Sequence, residues 1–270
     1  MIRITHHASR ITHAAVLTRI AARDALLAHG RARDYRFLAC ACAVVVYNNL
    51  GILWSAAGSG HPFLVGGSNL LIWGAILGWA TWIEKLTLAD LGIRVENFGR
   101  SLVWGLGAGV AMAAPAVLFF VFPFILPEPV RFGRYAGVDP GTVPFVLLFL
   151  LMVSTTAIFE EFLFRGLIQE RGVRWLGAAR GIGLSCGLFI LWHVVITYQS
   201  IQHTNLTAAV IPWPILYGAS AVPLGVAGLI LSLIRYKTGN IAGCVAAHGL
   251  TIFLMQGSLL MMASGTPAGT

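Results

Sequence analysis

The sequence predicts an all-α protein, a polytopic transmembrane helical bundle of seven helices with a polar cavity facing the cytosol. Three observations lead there. Of 270 residues, 57% are hydrophobic and only 10% charged, against roughly 25% charged in an ordinary soluble domain. Apolar runs of about 20 residues, enough to cross a bilayer, recur along the chain. The mean hydropathy is +0.81 for a mass of 28.9 kDa. So little charge cannot hydrate the surface of a globule this size. A soluble enzyme, a disordered chain and a nucleic-acid binder are thereby excluded as readings, despite a net charge of +8.

Residues 1–36 come first, a basic extension carrying Arg3, Arg10, Arg19, Arg23, Arg31, Arg33 and Arg36 against Asp24 and Asp34. The segment has no apolar stretch of the secretory type and reads as a cytoplasmic arm on anionic lipid, with an Arg-rich transit peptide as the alternative. Its histidines, His6, His7, His13 and His29, are too irregularly spaced to suggest a metal site. The transmembrane region is expected over 37–262, with a short tail at 263–270. Its spans are Phe37–Ala57, Phe63–Ile83, Leu102–Leu126, Val143–Gln169, Gly181–Tyr198, Ala208–Ile234 and Ile241–Met262. The sixth contains Pro212, Pro214 and Pro223, so a kink is expected, or a division that raises the count to eight. Glu84–Arg100, with mixed charge and scattered Leu and Ile, reads as an interfacial helix or loop. Gly74-x-x-x-Gly78 and Gly105-x-x-x-Gly109 suit close helix packing. Trp73, Trp79, Trp82, Trp104, Trp175 and Trp213 suit interface anchoring. Cys40, Cys42, Cys186 and Cys244 lie in apolar stretches and read as small buried hydrophobes.

The cations give an orientation. With the N-terminus in the cytoplasm, the inner segments hold the seven extension arginines, Lys85, Arg94, Arg100, Arg171, Arg174, Arg180, Arg235 and Lys237. The outer loops hold only Arg131 and Arg134. Such alternation follows the positive-inside rule. The expectation is an integral, multi-pass protein of the cell inner membrane, its partners being the lipid bilayer and a membrane-associated peptide or protein, with no nucleic acid.

Eight of the ten acids lie in the extension, loops or span ends. The other two, Glu160 and Glu161, are adjacent within the fourth span. A carboxylate in hydrocarbon costs at least about 2.5–3.5 kcal/mol, so an intramembrane ionisable residue points to function. On a helix Glu161 faces Arg165 at i+4, which makes them a structural pair and leaves Glu160 free to act. His193 and His248 are the other strongly polar groups within spans. At about 1.5 Å of rise per residue, Glu160, His193 and His248 fall at similar depths on the cytoplasmic side. A carboxylate can deprotonate water, and one histidine can share that proton. A second can donate to the oxyanion made when water attacks an amide. The same three residues could instead ligate a divalent metal such as zinc. No His-Glu-x-x-His motif occurs, and no cofactor is favoured. A proton relay in a transporter is the non-hydrolytic alternative.

Glu160-Glu161-Phe-Leu-Phe-Arg165, Phe189-Ile-Leu-Trp-His193, and Thr238-Gly239-Asn240 followed by His248 match an ordered motif set over about 84–262. In this the chain resembles the CPBP (Abi) family of intramembrane proteases, which includes CAAX prenyl endopeptidases and bacteriocin-processing or self-immunity proteins. The resemblance implies Glu160 and His193 as the water-activating pair and His248 as an oxyanion or substrate-facing group. It places Glu161, Arg165 and Phe189 in support. One position departs from the family pattern: four residues after His248, where a polar residue is usual, stands Ile252. Thr251, Asn48 and Asn49 are candidate replacements for the missing donor. A non-catalytic immunity or scaffold protein of the same fold is therefore the second expectation.

Overall fold

The computed structural model describes residues 33–54, 71–121, 143–202 and 212–264. The chain divides into Met1–Val44 and Val45–Thr270. Of the first unit only 33–44 are described, and they are helical. Most of the basic extension, the outer-loop arginines and the last six residues lie outside the described residues.

Every regular element among the described residues is helical. The helices are α1 (Arg33–Trp54), α2 (Leu71–Ile83), α3 (Phe98–Val121), α4 (Val143–Glu161), α5 (Gln169–Leu176), α6 (Ala178–Trp192), α7 (Val194–Gln202), α8 (Trp213–Thr238) and α9 (Ala242–Ser264). Three of these stretches are long and apolar enough to cross a membrane: α1, α6 continued by α7, and α8. Each matches an expected span to within a few residues, because burial in lipid demands the same apolar length from sequence and from helix.

The sixth span is not divided over its described part. Pro212 stands at the N-cap of α8 and Pro214 in its first turn, where the missing N–H would be unbonded in any case. Pro223 lies inside a helix that continues to Thr238, ended by Gly239 at φ 69°. The Glu84–Arg100 segment is a loop only as far as Asn97, since α3 takes up Phe98 onward. Two cysteines also depart from expectation. Cys244 is buried, but Cys40 and Cys42 are exposed on α1, where small apolar side chains suit a lipid-facing surface as well as a core. Trp82 and Trp104 are exposed, as interface anchors should be, whereas Trp79 is buried and donates to Glu84 at 3.3 Å.

Close packing of α3 on α9 brings the bundle together behind the site. A Cβ on Gly105 would collide with the Gly243 carbonyl, and one on Gly109 would lie 2.9 Å from the Ala247 carbonyl. The Gly-x-x-x-Gly pair of α3 therefore meets a small-residue pair on α9, backbone against backbone. On the side carrying the cationic segments, the loop before α3 is tied down from three directions. Arg171 donates to Glu84 at 2.9 Å, and Arg174 to Asp90 at 2.6 Å. Arg235 donates to the Asp90 carbonyl at 2.6 Å, and the Asn240 amide to the Arg94 carbonyl at 2.6 Å. These contacts fix the ends of α5, α8 and α9, and so the height at which their side chains stand.

Candidate active site

The site begins where α4 changes pitch. Glu161 ends the α-helical part, and Phe162–Ile168 follow as a π-helical turn before α5 resumes. All seven π-turn residues are buried. Such turns widen the helix and cluster at functional sites. Here the widened turn packs Gly166 against the Leu91 backbone and lets the Ser185 hydroxyl donate to the Phe164 carbonyl at 2.8 Å.

Glu161 and Arg165 are wholly buried and paired at 3.0 Å. The guanidinium also donates to the Gly228 carbonyl of α8 at 3.2 Å and lies 4.4 Å from the Phe189 ring centre. Phe189 thus supports the pair through a cation–π contact. The Oε1 of Glu161 has a second partner, His248 Nδ1 at 2.8 Å. The acid read from sequence as the structural partner of Arg165 therefore also orients a histidine from another helix.

Glu160 points elsewhere, as the 100° step between neighbouring helical residues requires. Its Oε1 accepts the Trp192 indole N–H at 3.0 Å, and its Oε2 makes no hydrogen bond. That oxygen faces His193 Nε2 at 3.6 Å and His248 Nε2 at 3.8 Å. Glu160, His193 and His248, taken from α4, the α6–α7 junction and α9, surround one point. His193 Nδ1 lies 2.8 Å from the Phe189 carbonyl, which can only accept, so Nδ1 carries a proton and, in the neutral ring, Nε2 holds the lone pair.

The break between α6 and α7 falls at His193, whose φ of −91° and ψ of 0° leave the helical ladder. Two asparagines of α1 bind the groups released there. Asn48 Nδ2 donates to the Trp192 carbonyl at 3.1 Å and Asn49 Nδ2 to the Leu191 carbonyl at 3.0 Å. Asn49 Oδ1 accepts the Val195 N–H at 3.1 Å. This employment differs from the oxyanion role considered for them. Thr251 is likewise engaged, its hydroxyl shared between the Ala247 and Gly109 carbonyls at 2.8 and 3.3 Å. Ile252 is half-buried one turn beyond His248.

Beside the site, α4 and α9 flank an open, shallow cavity of about 430 Å³. Val153, Ala157, Ile158, Ala246, Gly249 and Phe253 line much of it, with Ser154 the polar member of its wall. Among the described residues, no group of three or more His, Cys, Asp or Glu side chains is arranged to hold a metal ion.

The family model described as type II CAAX prenyl endopeptidase Rce1-like matches residues 142–254. Over these residues the chain is similar to Rce1-like domains. The matched stretch runs from the start of α4 into α9, and so includes Glu160, Glu161, Arg165, Phe189, His193 and His248. No curated protein and no solved structure matches the chain. The similarity to Rce1-like domains implies protease character at the level of the family only, and together with the three long apolar helices it points to a membrane protein.

Trp192 was not singled out from sequence. A signal was present, since this tryptophan lies within a span, where interface anchoring does not account for it. Asn48 and Asn49 carried a similar signal as adjacent amides inside an apolar run.

Proposed function

We propose that the protein is an intramembrane endopeptidase that hydrolyses a peptide bond of a membrane-associated protein or peptide near the cytosolic face. The observation carrying this reading is the unbonded Oε2 of Glu160 facing two imidazole nitrogens at 3.6 and 3.8 Å. These separations are too long for direct hydrogen bonds. They are short enough for a water to bridge Oε2 to an imidazole nitrogen.

In the proposed step, Oε2 of Glu160 takes a proton as the water oxygen attacks the amide carbon, and the His193 Nε2 lone pair holds the second water hydrogen. His248 donates from Nε2 to the developing oxyanion, which it can do only as the imidazolium, because Nδ1 is bonded to Glu161. Glu161 supplies the counter-charge for that form. Two carboxylates, Arg165 and protonated His248 then form a site without net charge, the arrangement hydrocarbon surroundings favour. Glu160 finally passes its proton to the departing amine. The apolar cavity beside the site suits a substrate with an apolar segment. No metal enters the mechanism.

Ile252 favours the second reading, a protein of this fold that binds a peptide without cutting it. The deciding assay uses purified protein in nanodiscs of anionic and zwitterionic lipid, with a fluorogenic peptide ending in a farnesylated CAAX sequence. Cleavage should be lost in Glu160→Ala and His193→Ala, while both variants keep the wild-type melting temperature, and should be insensitive to a chelator. Undiminished cleavage by Glu160→Ala would sink the mechanism. Chelator inhibition restored by zinc would replace it with a metal-dependent one. Binding without any cleavage would favour the immunity or scaffold reading.

A further inference from the structure

Both oxygens of Glu160 face consecutive residues at the end of α6. Trp192 holds Oε1 at 3.0 Å, and His193 faces Oε2 at 3.6 Å. From this we propose that Trp192 is a positioning residue that selects Oε2 as the oxygen of Glu160 that takes the proton. The inference rests on the protease reading and deepens it.

An indole N–H donates and cannot accept. While it occupies Oε1, a proton arriving at the carboxylate is directed to Oε2, the oxygen shared with the two histidines. The ring has little freedom to leave. Trp192 is buried, with Phe164 edge-on at 5.6 Å and Phe159 at 5.9 Å. Its backbone is held too, by Asn48 on its carbonyl at 3.1 Å. A glutamate with three rotatable bonds would otherwise sample other rotamers beside an apolar cavity, and small misplacements at a reacting centre are costly.

The test combines kinetics with a signature independent of turnover. In the nanodisc protein, labelled with ¹⁵N at tryptophan, the eight indole N–H signals are recorded by NMR. Trp192→Phe deletes one and so assigns it. Glu160→Ala should shift that signal, while Glu84→Ala should shift the Trp79 signal and leave it in place. With the farnesylated peptide, Trp192→Phe should lower kcat about tenfold or more and leave KM unchanged. An indole signal indifferent to Glu160→Ala overturns the contact whether or not the peptide is cut. A shifted signal with unchanged kcat overturns the positioning role. A change in KM alone shows a packing role and also overturns it. Absence of cleavage by the wild-type protein defeats the protease reading, and the positioning role with it, while the NMR result still decides the contact.

Discussion

His248 Nδ1 lies 2.8 Å from Oε1 of Glu161, the same oxygen that receives the Arg165 guanidinium at 3.0 Å. One buried carboxylate oxygen thus joins α9 to the π-turn after α4. The neighbouring acid, Glu160, is left with an unbonded oxygen between two histidines. Adjacent residues of identical chemistry come to differ in function because one helix step separates their directions and different helices receive them.

Removing the cation from this joint should damage the fold before it affects chemistry. Arg165→Met leaves Glu161 buried beside His248 without its guanidinium, a change that typically costs about 3–5 kcal/mol. The thermal unfolding temperature in detergent should fall sharply. A double variant, Glu161→Gln with Arg165→Met, should recover part of the loss, since no uncompensated charge then remains. Equal melting temperatures for the wild type and Arg165→Met would contradict this account.

The α3–α9 contact gives a control against general sensitivity to glycine replacement. Gly105→Ala forces a Cβ onto the Gly243 carbonyl and should destabilise by about 1–3 kcal/mol, as overpacking does. Gly107→Ala, two residues away with nothing within 4 Å of an added Cβ, should be neutral or stabilising because alanine favours helix. Paired melting curves for the two variants measure the difference.

Ile252 offers a test by gain. Asparagine at this position would stand one turn from His248. If a lacking oxyanion donor limits the rate, Ile252→Asn should raise cleavage of the farnesylated peptide by about 10²–10³, the usual weight of one such donor. An unchanged rate would mean that stabilisation comes from His248 alone or from a backbone N–H.

The loop before α3 should confer acid sensitivity. The Thr87 backbone N–H at 2.8 Å and its hydroxyl at 2.7 Å, with Arg174 further on, hold the Asp90 carboxyl at about 2, below the ordinary 3.8. A depressed carboxylate stabilises the fold above its unfolded value, and that contribution disappears as pH falls from 3.8 towards 2. Asp90→Asn should therefore melt below the wild type at pH 6, and the two curves should converge as the pH approaches 2. A constant gap across that range would remove Asp90 from the cause.

Much of the bundle was legible because lipid imposes a simple rule on sequence. A helix that spans must be apolar for about 20 residues, and the described helices follow the runs read from hydropathy. The i+4 spacing likewise announced the Glu161–Arg165 pair. The π-turn was not legible, since Phe162–Ile168 have no composition that separates π from α pitch. It is stabilised by what packs around it, including Leu91, Ser185 and Gly228. For the same reason sequence assigned Glu161 one partner and the structure gives it two.

The sequence by itself determined which residues are chemically conspicuous: two acids, an arginine and two histidines in a chain with 10% charge. It also set them at comparable depths, because helical rise converts position into height. Only tertiary structure decided which oxygen faces which nitrogen. Those directions depend on how α4, α6 and α9 rotate about their axes when packed, on the break at His193 held by Asn48 and Asn49, and on the indole of Trp192. Rotation about a helix axis is set by contacts between helices, and no local pattern along the chain records it.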